Sequence, residues 1–364
     1  MVLGAATGVR ARLVAPQLLK SWARNDVWRC RVDAPGTALP ASVIVKRFKS
    51  DPERGFDEWA ALAFLTERSF GPPVAPRFLG GDADARVFVM EDLGPGRTLE
   101  DLLHESDAGA AAEALVAVAR LAGRWQARVL DAAGEYDSRR QALSPRPVSP
   151  TTAAAALLHG ERGRITVWLE AVGVTASSGL TAALAAVTSA VEAPGPFATL
   201  THGDMAPSNI YLAAGRARLL DFEYAGIRHA LYDALFWTLV CPFPAALIDR
   251  AEAAYRTELA RACLPAGDLA AYTEARAMVA AWRMLNLLQW LPPSLVAADR
   301  PWAPGVSARQ AILWHLARFD VLASSAAALA PLVESLARLR RNLSARWDCR
   351  VDPTLLWPAF RDPR

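Results

Sequence analysis

Apolar and polar positions follow two regimes along this chain. Up to about residue 94 the apolar runs are short and strand-like. Val27, Cys30 and Val32 are strand residues after a turn at Arg24-Asn25-Asp26. Ala41-Ser42-Val43-Ile44-Val45-Lys46-Arg47-Phe48 is an apolar strand that runs into a lysine. Trp59, Leu62 and Leu65 fall at helical spacing within 51–66, which predicts one amphipathic helix. Gly71-Pro72-Pro73-Val74-Ala75-Pro76 is a loop by composition. Arg86 to Gly94 is a buried strand that breaks at Gly94-Pro95-Gly96. The second regime is helical. Thr98 is a good N-cap with Asp101 three residues on, and amphipathic helices fill 98–194. A Pro-rich break, 144–150, is either a surface loop or the lip of a substrate site. Strand character returns once, where 210–220 reads as strand, tight turn and strand around Gly215. Ala234-Leu235-Phe236-Trp237 begins an apolar helix, and helical periodicity continues beyond 240.

That isolated hairpin carries the densest chemistry. Asp204 stands five residues before Asn209, and Asp221 follows twelve residues later. Phosphoryl transfer from ATP needs such parts: one carboxylate orients the attacking hydroxyl and receives its proton, while an amide and a second carboxylate hold magnesium. A hairpin returns Asn209 and Asp221 to the same end, so both could grip one ion. A surface turn rich in Asp and Asn would also explain Gly203 and Gly215. It would not explain why Asp204 and Asn209 flank Pro207, or why Asp221 directly follows Leu219-Leu220.

His202-Gly203-Asp204, Asn209 and Asp221-Phe222-Glu223 resemble the aminoglycoside phosphotransferase and choline kinase superfamily, a branch of the protein-kinase-like fold. Its pattern is H-G-D-x-x-x-x-N and, downstream, D-[FW]-[ED], and every fixed position is matched. The resemblance covers roughly residues 14–240. It implies an α+β, two-lobed protein-kinase-like fold, with a small antiparallel-sheet nucleotide lobe over 1–94. A larger, mainly helical catalytic and substrate lobe would cover 95–364. It implies that Asp204 is catalytic, that Asn209 and Asp221 hold Mg2+, and that His202 braces the loop. Glu223 would sit near the metal and Asp233 would be structural. Lys46 would pair with the ATP phosphates, with Glu58 as its orienting partner and Glu53 or Asp57 as substitutes. Lys49 competes with Lys46 but lies beyond the apolar run. Asn25 would belong to the turn over the phosphates. Val27-Trp28-Arg29 fits that segment, but Ser21, Trp22 and Ala23 stand where glycines are common. Glu91, Asp92 and Leu93 would form a hinge whose backbone meets adenine, leaving the side chains of Glu91 and Asp92 partly free.

Composition narrows the partners. The chain has 364 residues, 53% hydrophobic and 21% charged, which is globular. A net charge of +3 is too small to argue for nucleic acid. The basic run Arg338, Arg340, Arg341, Arg346 and Arg350 fits a solvated helix face. Cys30, Cys241, Cys263 and Cys349 lie far apart, which supports neither zinc nor a disulfide framework and fits the cytoplasm. No signal peptide is expected, and the uncharged stretch 171–191 is too rich in Ser, Thr and Gly for a membrane segment. Only three of 40 basic residues are lysine, which favours a special role for Lys46. After residue 224 there are 16 Arg against 12 Asp and Glu, a balance unfavourable to polycationic aminoglycosides. Seven of twelve Trp lie there too; most are expected in the core, with a few lining a pocket beside the rigid break Cys241-Pro242-Phe243-Pro244. The expected activity is ATP- and Mg2+-dependent phosphorylation of a small-molecule hydroxyl, with no nucleic acid or membrane partner. The alternative is a nucleotide-binding pseudoenzyme, motivated by the Gly-poor loop. A protein kinase ranks last, because H-R-D, D-F-G and A-P-E segments are missing. The sequence names neither the acceptor nor the oligomeric state.

Overall fold

β-branched and aromatic residues concentrate in the strands Ser42–Phe48 and Val87–Glu91, and their alternation decides what each face of the sheet meets. In this computed structural model, residues 11–33, 39–68, 71–144, 164–213, 215–303, 305–347 and 357–361 are described. The Pro-rich residues 145–150, Cys349 and Arg350 lie outside the described residues. Strands β1 (Arg12–Ser21), β2 (Asn25–Asp33), β3 (Ser42–Phe48), β4 (Phe78–Asp82) and β5 (Val87–Glu91) form an antiparallel sheet in the order β1-β2-β3-β5-β4. The turn expected at 24–26 is tighter than that: Trp22 N–H donates to Asn25 O (2.9 Å), and β2 begins at Asn25 itself.

On one face of β3, Val43 and Val45 pack with Cys30, Leu79 and Val89. The other face carries Lys46 and Phe48, with Phe88 directly opposite Lys46 on β5. Helix α1 (Pro52–Glu67) covers this face through Phe56 and Trp59, whose rings stack against Phe48, Phe78 and Phe88. Close approach requires Gly55, since a Cβ there would lie 2.3 Å from the Phe48 ring. The period-two alternation of β3 thus turns Lys46 toward the helix that carries Glu58.

The chain folds as two compact units. One comprises Met1–Asp101 with Asp131–Pro147 and His202–Gly226, the other Leu102–Leu130 with Val148–Thr201 and Ile227–Arg364. The first unit adds a three-stranded sheet in which β6 (Arg97–Thr98) pairs with β8 (Ile210–Ala213), and β8 with β9 (Arg216–Leu219); β7 (Ala198–Thr201) belongs to the second unit. Tyr211 Oη donates to Gly94 O (2.6 Å), so the segment after β5 is tied to the hairpin by side chain as well as backbone. In the same unit Arg140 is buried and bonds Asp57 Oδ1 (2.6 Å) and Glu53 Oε2 (2.5 Å).

The second unit is mainly helical. Helix Ala108–Val129 packs on helix Ala245–Leu259 at Gly123, where a Cβ would meet Tyr255 O at 2.3 Å. A buried chain of hydrogen bonds fixes this core. Tyr255 Oη donates to Gln126 Oε1 (2.6 Å), and Gln126 Nε2 donates to Asp233 Oδ2 (2.8 Å). A π-helical turn, Phe236–Val240, follows the short helix Leu231–Leu235 and leads into Cys241. The tryptophans depart from expectation. Of the seven after residue 224, only Trp237 and Trp282 are core residues, Trp290 and Trp302 are exposed, and Trp314, Trp347 and Trp357 are half-buried. In Trp314, Trp347 and Trp357 the indole N–H is itself buried, so the exposed part of each is ring carbon. Among the described residues, no helix is long and apolar enough to cross a membrane.

Candidate active site

Every candidate catalytic, nucleotide-binding and metal-holding residue lies in the first unit. The β8–β9 hairpin runs in the register Ile210↔Leu219, and one rung further Leu220 N–H donates to Asn209 O (2.8 Å). Asn209 and the residue after Leu220, Asp221, therefore share the open end of the hairpin. Asp221 has a left-handed backbone (φ 62°), which a non-glycine residue adopts at a cost of order 1–3 kcal/mol. Strain of that kind turns its carboxylate out of the strand pleat.

The loop before the hairpin is held by its own side chains. His202 is fully buried, its Nε2–H donates to Leu220 O (2.8 Å), and its Nδ1 accepts from Asp204 N–H (3.2 Å). This pattern requires one tautomer, protonated on Nε2. Asn209 Nδ2 donates to Asp204 O (3.1 Å) and Asp204 Oδ2 (3.2 Å), which links the amide to the carboxylate.

Lys46 joins this loop to the five-stranded sheet. Its Nζ lies 2.5 Å from Glu58 Oε2 and 2.6 Å from Asp221 Oδ1. Of its three candidate acidic partners, Glu58 makes the contact, while Glu53 and Asp57 bind Arg140 instead. Burial would push the lysine down, but Glu58 and Asp221 more than offset it, so Lys46 stays protonated. Burial likewise raises Asp221, and Lys46 overrides it to leave that carboxylate below its ordinary value. Glu58 is pushed up to about 7, first by burial and further by Asp221, with Lys46 opposing. Glu223 is also raised by burial and by Asp221. Lys46 thus stands among three carboxylates, Glu58, Asp221 and Glu223, the last of which also meets the Arg24 guanidinium.

Asn25, Lys46, Glu58 and Glu223 line one small cavity with Arg24. Arg24 matches no motif position in the sequence. Its Nη2 bonds Glu223 Oε1 (2.7 Å) and brings a positive charge to the turn that lacks glycines. Lys49 pairs with Asp26 (2.8 Å) and stays away from Glu58.

Glu91 ends β5 with its N–H donated to Arg77 O (2.9 Å), and Asp92 and Leu93 follow beyond the strand. The Asp92 side chain is not free, contrary to expectation. It accepts from Arg29 Nε (2.7 Å), Arg29 Nη2 (3.1 Å), Ser42 Oγ (2.7 Å) and Gly94 N–H (3.0 Å). Burial acts to raise it, but these donors hold it below the ordinary carboxylate range. Asp92 therefore clamps the end of β5 to β2 and β3. Glu91, also expected to be partly free, accepts from Arg77 N–H (3.1 Å). Cross-strand pairs of this kind depend on register, which spacing in one strand does not reveal.

A family model for the phosphotransferase enzyme family matches residues 17–266. The chain therefore belongs to that family. The fold class is the expected one, α+β and kinase-like, with an N-terminal antiparallel sheet and a larger, mainly helical remainder. Three solved structures illustrate the likeness. A macrolide 2′-phosphotransferase from Brachybacterium faecium is 18% identical, with 76% of this chain and 96% of that one covered and a TM-score of 0.43. A choline kinase from Streptococcus pneumoniae is 14% identical, with 90% and 94% covered and a TM-score of 0.40. The GDP complex of aminoglycoside 2′-phosphotransferase-IIIa is 17% identical, with 90% and 94% covered and a TM-score of 0.44. No curated protein matches the chain in sequence.

Proposed function

We propose that this protein transfers the γ-phosphoryl group of ATP, with Mg2+, to a hydroxyl of a small molecule. What supports this most is the contact of Lys46 with both Glu58 and Asp221. It joins a strand lysine to the carboxylate at the hairpin end, the pairing that a triphosphate and its ion require. In this reading Lys46 neutralises the α- and β-phosphates and Glu58 keeps it aimed. Asn25 and Arg24 sit over the phosphate end. The backbone of Glu91, Asp92 and Leu93 meets the adenine edge, and the Asp92 clamp keeps that backbone in place.

Asp204 orients the acceptor hydroxyl and takes its proton late in the reaction. His202 and Asn209 hold it there through the Asp204 N–H, carbonyl and carboxylate. Among the described residues no group of three or more His, Cys, Asp or Glu is arranged to hold a metal. Magnesium does not need one, because it keeps several waters and uses one or two protein oxygens beside phosphate. The Asn209 amide and the Asp221 carboxylate are such oxygens, and they would hold it. When bound, the ion neutralises charge on the phosphates. The rest of the catalytic effect comes from positioning. The buried thiols Cys30, Cys241 and Cys263 fit the cytoplasmic setting of this reading.

A second reading, nucleotide binding without transfer, is favoured by Trp22, a bulky side chain 58% exposed in the turn where glycines are common. One experiment separates the two. Purified protein with Mg-ATP and a panel of sugars, macrolides, amino alcohols, aminoglycosides and nucleosides is analysed by mass spectrometry. The expected result is a product heavier by one phosphoryl group, reduced by about 10²–10⁴-fold in Asp204→Ala. ATP binding with no product from any acceptor supports the second reading. Loss of both binding and product sinks the first.

A further inference from the structure

The turn between β1 and β2 contains no glycine: it reads Ser21-Trp22-Ala23-Arg24-Asn25. Glycine lets the N–H groups of a turn close on a phosphate, because no Cβ keeps the ligand off. This turn is also stapled from outside. Trp22 N–H donates to Asn25 O (2.9 Å), and Lys49 N–H donates to Arg24 O (2.7 Å). Ser50 Oγ donates to Ala23 O (3.1 Å), while Ser21 Oγ and Lys49 Nζ both bond Asp26 Oδ1 (2.6 and 2.8 Å). The backbone is thus fixed against the end of β3, and what the turn can offer a ligand is side chain.

Arg24 is that side chain. Its Nη2 bonds Glu223 Oε1 (2.7 Å), and the Tyr224 side chain bonds it as well. Arg54 stacks on the same Tyr224 ring, 4.1 Å from its centroid, and pairs with Asp51 (2.8 Å). Arg24, Lys46 and Arg54, with Asp51, Glu58 and Glu223, are the charged walls of one cavity. The three cations differ in exposure: 47% for the Arg24 side chain, 34% for Arg54 and 7% for Lys46. Glu223, which holds Arg24, is buried. A guanidinium carries five N–H donors in one plane, so a buried acid can grip one edge of Arg24 and leave others for a second anion. The cavity itself, about 10 Å³, holds a water at most, so a phosphate meets Arg24 on its solvent side.

The bonds also order the cations along a polyphosphate. Lys46 is joined to Asp221, and Arg24 to Glu223, two residues further on. In the reading above, Lys46 takes the α- and β-phosphates and Asp221 holds an ion that bridges β and γ. Arg24, more exposed than Lys46 and tied beyond that carboxylate, falls on the γ side.

We propose that Arg24 binds the terminal phosphate of ATP, its guanidinium standing in for the backbone amides of a glycine turn, with Glu223 and Tyr224 aiming it. The assignment rests on the phosphotransferase reading, but its test is binding and not turnover. The whole protein is titrated calorimetrically with Mg-ATP, Mg-ADP and adenosine. Arg24→Gln should weaken ATP by about 10–100-fold, and ADP and adenosine by less than about threefold. Arg24→Lys, which keeps the charge without the planar fork, should fall between. Arg47→Gln removes a positive charge from an exposed β3 residue outside the cavity and should leave all three affinities unchanged. A Glu223→Gln background separates contact from shielding: Arg24→Gln should cost ATP the same factor there. A wild type that binds no ATP would sink the phosphotransferase reading and this assignment together. With ATP bound by the wild type, four results would each overturn the assignment alone: no loss in Arg24→Gln, equal losses for ATP and ADP, an equal loss in Arg47→Gln, or no loss in the Glu223→Gln background.

Discussion

The two polar regions of this molecule are built on opposite principles. Around Lys46, ionic groups crowd together until every one has a partner, and charge is in surplus. Around His315, the imidazole Nε2 and the indole N–H groups of Trp314 and Trp357 are buried with no hydrogen-bond partner among the described residues. The first arrangement suits a highly charged ligand, because exchanging one ionic contact for another costs little desolvation. The contrast lies in charge density and not in room, since the space beside Lys46 is far smaller than the one lined by His315.

The largest expected effect comes from breaking the ionic side of this comparison. Lys46→Met leaves Glu58 and Asp221 without their shared cation and should destabilise the fold by about 3–5 kcal/mol. Lys46→Met/Glu58→Leu should recover much of that loss, since an apolar pair replaces a buried charge. Urea unfolding of the two variants checks this, and equal midpoints would show that Glu58 is not a charge-pair partner.

Acidification should strike the other side. His229 is buried and lowered to about 3 by desolvation, and His315 to about 4, against about 6.5 in an unfolded chain. Below pH 6.5 the unfolded chain takes up protons that the folded chain refuses, so stability falls as pH drops. Between pH 6.5 and 5 the two together contribute a loss of about 3 kcal/mol. Glu58, raised to about 7, works in the opposite direction over the same range. The difference between wild type and His229→Gln isolates the histidine: the variant should show a shallower decline in unfolding free energy from pH 7 to 5.

The smallest effect concerns packing alone. Gly55→Ala places a Cβ against the Phe48 ring and should cost about 1–3 kcal/mol while pushing α1, and Glu58 with it, off Lys46. Gly134→Ala, with nothing within 4 Å of the new Cβ, should instead be neutral or gain up to about 1 kcal/mol. Thermal melts of the pair measure the contrast.

Much of the ionic site was legible because it is local. Asp204, Asn209 and Asp221 lie within one loop and hairpin, and a strand lysine stands out where lysine is rare. Glu58 could be narrowed only to three acids, because helical phase decides which of them faces β3. The Asp92 clamp and the Arg24–Glu223 pair were hidden, since both join residues far apart in the chain. The aromatic cavity that His315 lines was legible only in part: a pocket lined by tryptophans beside the break Cys241-Pro242-Phe243-Pro244 was expected, but not which tryptophans would line it. Its walls have no shared period, and tryptophans that look like core residues by hydropathy turn out to be half-buried.

The bond from Tyr211 to Gly94 has a consequence for motion. With β6 paired to β8, the segment after β5 and the β8–β9 hairpin are laced into one patch. Amide deuterium uptake should report them as a single opening unit, with Arg97, Thr98 and Leu212 losing protection at one common rate. Tyr211→Phe would cut one lace, and the hairpin and the segment after β5 would then begin to breathe separately.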